Sequence, residues 1–273
     1  MAEPPPTTRL DVALVQAALA RSRGQAREAI HAGVVQVDGR TVTKTASLVD
    51  SSAELVRTDD VDPWVGRGAY KLLAALQEWG PRGLRVEQVT CIDVGASTGG
   101  FTQVLLHFGA ARVLAIDVGT GQLVPELAQD SRVCERSGTH VLKVTADEIT
   151  PADLIVMDLS FISAATVLTH VASWCVSGGS IVVLVKPQFE VGREALGRGG
   201  IVRSRTQRQA AVRRVLSAAY GSGLALRDLM VSPITGSAGN VEYLLWLSPA
   251  AHGMMDQLAA VKAAGKLVQK GLR

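Results

Sequence analysis

Residues 89–102 read VTCIDVGASTGGFT. A short apolar run meets a glycine-rich turn at Gly95, and a helix-compatible segment follows from Gly100. Strand, turn and helix in that order bring free backbone N–H groups toward a ligand. A dinucleotide-binding turn needs glycine two positions after the first, so that the backbone can close on a pyrophosphate. Here that position is Ser97. The turn suits a ligand without pyrophosphate, and S-adenosylmethionine is the common one. The next apolar run, ARVLAID, ends at Asp117, where a carboxylate can accept both ribose hydroxyls of an adenosine. Gly95, Ala96, Ser97, Thr98, Gly99, Gly100 and Phe101, with Asp117, Val118 and Asp158, are the expected cofactor-binding residues.

Outward from this stretch the pattern repeats. ADLIVMDLS (152–160) and SIVVLVK (180–186) are further apolar runs rich in β-branched residues, with helical segments between them. Short strands buried on both faces and alternating with helices predict a doubly wound, mostly parallel sheet. A helix carrying Tyr70, Lys71, Leu72, Leu73 and Leu76 precedes the first strand. After Lys186 come a Gly- and Arg-rich loop, 191–205, an Arg- and Ala-rich helix, strands near 224–232 and 240–248, and a C-terminal helix. The expectation over 67–273 is a Rossmann-like α/β domain with a seven-stranded sheet.

The first part of the chain reads differently. Residues 1–8 are Pro- and Thr-rich and predict disorder. Leu10, Leu14, Val15, Ala18 and Leu19 have helical spacing. Ser22 reads as the N-cap of a second helix ending at Gly33, and GVVQVDGRTV (33–42) reads as a hairpin turning at Asp38-Gly39. A small α+β domain over 9–58 is expected, followed by a linker at 59–66 holding Asp59, Asp60, Asp62 and Pro63.

The chain has 273 residues, which at about 150 per domain fits two domains. With 47% hydrophobic and 19% charged residues it can bury a core. Cys91, Cys134 and Cys175 are far apart and form no CxxC pair, against a zinc ribbon or a disulfide scaffold. No metal is expected. No signal peptide and no apolar run long enough for a membrane span are evident, so a cytoplasmic protein without membrane contact is expected.

Four charged residues fall at the carboxyl edge of the expected sheet or on an adjoining helix: Lys71, Asp158, Lys186 and Glu242. A charge ending an apolar strand is costly to bury unless paired. One such residue is commonly a simple ion-pair member; four in Lys-Asp-Lys-Glu order are harder to dismiss.

That order resembles the catalytic tetrad of FtsJ-like RNA ribose 2′-O-methyltransferases. The resemblance implies that Lys186 holds a ribose 2′-hydroxyl and acts as general base, or only orients it and stabilises the developing oxyanion. Residues 9–49 resemble the S-four RNA-binding domain in the Arg-Leu-Asp opening, the Ser-Arg pair at helix two, the Gly-x-Val-x-Val-Asp-Gly turn and the later Lys. The strings DVGASTGGFT, AIDVGTGQL, MDLSFIS, LVKPQFEVGRE and GNVEYLLWL after it are similar to the TlyA (haemolysin A) family. The resemblance implies methyl transfer from S-adenosylmethionine to cytidine 2′-oxygens of ribosomal RNA, in the large subunit and, for a longer form, also the small. The start of the chain and a helix beyond Pro249 point to that longer form. Where the family has Arg-x-Trp-Val in the linker, this chain has Asp62-Pro63-Trp64-Val65, which puts any role of that Arg in doubt. The alternatives are an RNA-binding ribosome-assembly factor without catalysis and, less favoured, a cytolysin. A monomer is expected.

Arg9, Arg21, Arg23, Lys44, Arg193, Arg203 and Phe161 are the expected RNA contacts. Phe161 and Phe189 each follow a tetrad residue by three positions. Either could stack on a flipped base, although core packing is the commoner fate of phenylalanine. The net charge of +3 is unevenly spread: residues 9–46 carry +3, 47–190 carry −7 and 191–214 carry +6. Two basic zones on either side of an acidic middle predict salt-sensitive RNA binding.

Overall fold

A computed structural model describes residues 7–192, 194 and 196–249. Arg193, the expected C-terminal helix and residues 1–6 lie outside the described residues. Thr7 and Thr8, expected to lack structure, are instead in strand β1 (Thr7–Arg9), which pairs antiparallel with β4 (Leu48–Asp50).

Helices α1 (Leu10–Gln16) and α2 (Arg23–His31) pack through Leu10, Leu14, Ala26 and Ile30. Helix α1 stops before Ala18, whose φ of 56° is left-handed. Helical spacing at Ala18 and Leu19 therefore continues past the helix that suggested it. Ser22 caps α2, its hydroxyl accepting from Gln25 N. The hairpin of β2 (Val35–Val37) and β3 (Arg40–Thr41) turns through Asp38 at φ 49° and Gly39 at φ 74°. Positive φ at both central residues is what a tight hairpin turn requires. Strand β5 (Leu55–Arg57) completes a three-stranded sheet on the other side of β2.

Helix α3 (Gly68–Trp79) leads into the large unit. Its strands and helices are β6 (Thr90–Val94), α4 (Gly100–His107), β7 (Arg112–Ile116), α5 (Pro125–Ala128), β8 (Val133–Arg136), β9 (Ala152–Met157), α6 (Ala164–Val171), β10 (Cys175–Val185), α7 (Pro187–Glu190), α8 (Arg205–Gly221), β11 (Leu224–Val231) and β12 (Tyr243–Pro249). The sheet order is β11-β12-β10-β9-β6-β7-β8. Strand β12 runs antiparallel to both neighbours; the other pairings are parallel. This is the Rossmann-like, mostly parallel seven-stranded sheet expected.

Successive residues of β9 face opposite cores. Ile155 and Met157 pack with α6 and α8, and Leu154 and Val156 with α3 and α4. That two-sided burial is why the strand is an unbroken apolar run. From β6 the chain winds toward β8, then returns to place β9 on the other side of β6. The reversal opens a crevice at the carboxyl ends of β6 and β9, where such sheets bind ligands.

Candidate active site

At the end of β6 the backbone turns sharply. Gly95 (φ 91°) sits so close to β9 that a Cβ there would lie 2.5 Å from the Asp158 carbonyl oxygen. A Cβ on Gly99 (φ 100°) would collide with the Leu127 and Leu123 side chains. Only glycine fits either position. Between them Ser97 takes φ 49°, and its N–H donates to Asp117 Oδ2 at 2.8 Å. Gly119 N donates to the other oxygen, Oδ1, at 2.7 Å. The Asp117 carboxylate is thus fixed at the end of β7 by two backbone donors, with lone pairs left for a ligand.

These residues open onto a cavity of about 600 Å³ lined by Gly95, Ser97, Asp117, Val118, Asp158 and Phe161 among others. That volume lies within the range for a cofactor-sized molecule. A second cavity of about 240 Å³, lined by Gly66 to Gly68, Gly95 to Thr98, Gly100 and Phe101, continues toward Lys186. Ala96, Thr98 and Gly100 line this second cavity and not the first. Phe101 is buried, its ring packed toward Gly68. A third cavity of about 410 Å³ holds Lys71, Lys186, Glu242 and Phe189, and Glu28 of α2 contributes to its wall. Asp158 and Ser160 border all three.

The four charged residues converge. Lys186 Nζ lies 2.6 Å from Asp158 Oδ1, and Lys71 Nζ lies 3.7 Å from Asp158 Oδ2 and 2.6 Å from Glu242 Oε2. Cations and anions alternate along this line. Glu242 is 1% exposed, Lys71 8%, Lys186 12% and Asp158 17%, so the two ends of the line differ in access. Lys186 lines the second and third cavities, while Lys71 and the buried Glu242, paired with each other, line the third. Two positive and two negative groups offset one another, which permits their burial. Beside them Asp93 on β6 is wholly buried; Thr102 Oγ1 donates to it at 2.7 Å. Burial, with Asp158 and Asp117 as like charges, pushes its carboxyl up to about 7.

Phe161 is 92% exposed at the junction of the first and third cavities, which overturns the expectation that core packing is its role. Its φ of 66° is unusual for a bulky side chain. Phe189 is half-buried, with ring centroids 5.4 Å apart. Glu190 accepts from Ser163 Oγ at 2.7 Å and Ala164 N at 2.6 Å, closing the far end of the Phe161 loop. Burial pushes the Glu190 carboxyl up.

On α1 and α2 the expected RNA contacts are partly engaged within the protein. Arg9 Nε, Arg23 Nη2 and Arg27 Nε reach the Asp11 carboxylate at 2.9, 2.9 and 3.2 Å. Asp11 is fully buried, and burial alone would raise its pKa; the three arginines hold it well below the usual carboxylate range. The guanidinium groups remain half-exposed, leaving a surplus of positive charge. Arg21, Lys44 and Arg203 are exposed.

Several cavity residues were not singled out in the sequence. Ser160 and Gln122 lie inside the quoted strings MDLSFIS and AIDVGTGQL but carry no charge to draw notice. Arg67 stands at the edge of the expected linker; its Nη2 donates to Thr235 O at 3.0 Å and its Nε is 3.8 Å from Glu28. Asn240 holds the 200–202 loop through Gly200 O and Val202 N.

The FtsJ-like methyltransferase family matches residues 64–248, and the S4 domain matches residues 8–55. The chain is 43% identical over 265 residues to the 16S/23S rRNA (cytidine-2'-O)-methyltransferase TlyA of Mycobacterium tuberculosis (strain ATCC 25618 / H37Rv), covering 96% of this chain and 98% of that one. It is 35% identical over 247 residues to Hemolysin A of Brachyspira hyodysenteriae, covering 86% and 98%. The solved structure of a Streptococcus thermophilus protein described as a hemolysin aligns with a TM-score of 0.70 at 37% identity, over 97% of this chain and 98% of that one.

Proposed function

The chain belongs to the FtsJ-like methyltransferase family and within it to the TlyA (haemolysin A) group, and on that premise we propose that it methylates cytidine 2′-oxygens of ribosomal RNA with S-adenosylmethionine as donor. The observation that carries the reading is the Lys186–Asp158–Lys71–Glu242 line at the meeting point of three cavities. The Mycobacterium tuberculosis relative is named for both subunit RNAs and is matched over 98% of its length, which supports both as substrates.

The residues present fit the donor. The first cavity has the volume, the glycine turn brings backbone close, and Asp117 presents an oriented carboxylate for ribose hydroxyls. When bound, S-adenosylmethionine supplies an electrophilic methyl group on a sulfonium. Lys186 receives the 2′-hydroxyl from the third cavity, takes its proton, and holds the new charge against Asp158. Lys71 keeps Asp158 in place from the other side, and Glu242 offsets Lys71. Much of the acceleration comes from placing hydroxyl and methyl together. Phe161 stacks on the target base, drawn out of its helix.

Residues 9–58 grip RNA through Arg9, Arg21, Arg23 and Lys44; 59–66 connect; 67–273 carry out transfer, with Arg193 and Arg203 on the second basic zone. The enzyme works as a cytoplasmic monomer. Among the described residues no helix is long and apolar enough to cross a membrane. The test is transfer of labelled methyl groups by the purified chain to rRNA and to ribosomal subunits, with the modified position mapped. Transfer to cytidine 2′-oxygen supports the reading. RNA binding with no transfer, donor present, overturns it in favour of a non-catalytic assembly factor.

A further inference from the structure

Ser160 follows Asp158 by two residues, and its Oγ accepts a hydrogen bond from Lys186 Nζ at 3.0 Å. The same nitrogen lies 2.6 Å from Asp158 Oδ1. Both acceptors come from the loop after β9, and that loop is held at each end. Asp158 N donates to Val94 O at 3.1 Å, and Glu190 binds Ser163 and Ala164. Ser160 is exposed in the site and, with Asp158, borders all three cavities.

A neutral primary amine carries two N–H bonds and one lone pair, arranged tetrahedrally about nitrogen. With one hydrogen held, rotation about Cε–Nζ among its staggered wells still leaves the lone pair two positions; holding both leaves one. Asp158 can only accept from this nitrogen, and Ser160 accepts from it with its own hydroxyl proton turned elsewhere, so the two take the two hydrogens. The remaining direction belongs to the lone pair, and the cavities that Lys186 lines are what is left open to it. We infer that Ser160 is a positioning residue that fixes the rotation of the Lys186 amine so that its lone pair faces the acceptor hydroxyl. The inference rests on Lys186 taking the 2′-hydroxyl proton. In that step the lone pair takes the proton, the oxygen–methyl bond forms, the sulfur–methyl bond breaks, and its electron pair stays on sulfur. The proton later leaves the ammonium for water.

The experiment compares wild type, Ser160→Ala, Ser160→Thr, Lys186→Ala and the Ser160→Ala/Lys186→Ala double variant as full chains. It records kcat and KM for rRNA, the Kd for S-adenosylmethionine and Tm. Ser160→Ala is expected to lower kcat about tenfold, a modest misorientation penalty, with KM, Kd and Tm unchanged. Ser160→Thr keeps the hydroxyl and restores kcat. The double variant is no slower than Lys186→Ala, because the serine acts only through the lysine. The inference is overturned if Ser160→Ala turns over at the wild-type rate, if its loss appears in KM or Kd, if Ser160→Thr fails at wild-type Tm, or if the two losses multiply. Full activity of Lys186→Ala, or no transfer by wild type, would instead defeat the underlying assignment.

Discussion

Lys186 Nζ stands 2.6 Å from Asp158 Oδ1, and the opposite oxygen of that carboxylate faces Lys71 Nζ at 3.7 Å. One acid therefore serves two lysines whose surroundings differ. Lys71 also has the buried Glu242, whereas Lys186 has, among the described residues, Asp158 and a serine hydroxyl. Both lysines line the third cavity, and the one with fewer anions, Lys186, also lines the second.

Lys186→Ala is expected to reduce methyl transfer about 10²- to 10⁴-fold, the usual contribution of a general base. Affinity for S-adenosylmethionine, measured by calorimetry, stays near wild type because Lys186 contributes only to the wall of the donor's second cavity.

Phe161→Ala is expected to raise the KM for rRNA, since base–aromatic stacking is worth about 1–3 kcal/mol. Phe161→Gly loses the same ring but accepts φ 66° without strain. In chemical denaturation it should be more stable than Phe161→Ala by about 1 kcal/mol. Equal stability of the two variants would argue against backbone strain at this position.

Asp93 gives a pH signature. Its folded pKa, about 7, lies above the ordinary carboxylate value of 3.8. Its contribution to stability is therefore fully present below about 3.8 and is lost as pH rises through about 7. Asp93→Asn, which still accepts from Thr102, should flatten the dependence of Tm on pH across that interval. Parallel curves for the two proteins would contradict the raised value.

Asp11 has the opposite sign. Its folded pKa is depressed, so its contribution is present above 3.8 and is lost as pH falls toward the folded value. Asp11→Asn strands three arginines around an uncharged group. Discounted for their half-exposure, the expected loss is about 2–3 kcal/mol in urea denaturation at neutral pH.

Much of this architecture can be read from residue order, where two-sided burial writes itself as apolar runs. Strands β6, β7, β9 and β10 are legible for that reason, and the tetrad is legible because charges end or adjoin such runs. Strand β8 is not legible as an element because it is the sheet's edge: Val133 and Cys134 are only half-buried and Glu135 is exposed. The short β1–β4 pair is too brief for alternation to register. The exposure of Phe161 is not legible in the sequence, because it is set by a loop that Glu190, 29 residues away in sequence, holds through Ser163 and Ala164. Arg9 and Arg23 look like free cations in a sequence; that they share Asp11 is a property of how α1 meets α2.

The connector at 62–65 is gripped from two directions. Ser22 Oγ donates to Val65 O at 2.5 Å, and Gln25 Nε2 to Asp62 O at 2.8 Å. From α4, Gln103 donates to Pro63 O at 2.9 Å and accepts from Val65 N at 2.8 Å. A joint sewn on both sides is a splint and not a hinge. The distance between the arginines around Asp11 and the amine of Lys186 is then set by the fold. If those arginines bind RNA as proposed, the nucleotide that reaches Lys186 is set by its distance from them, whatever the sequence between.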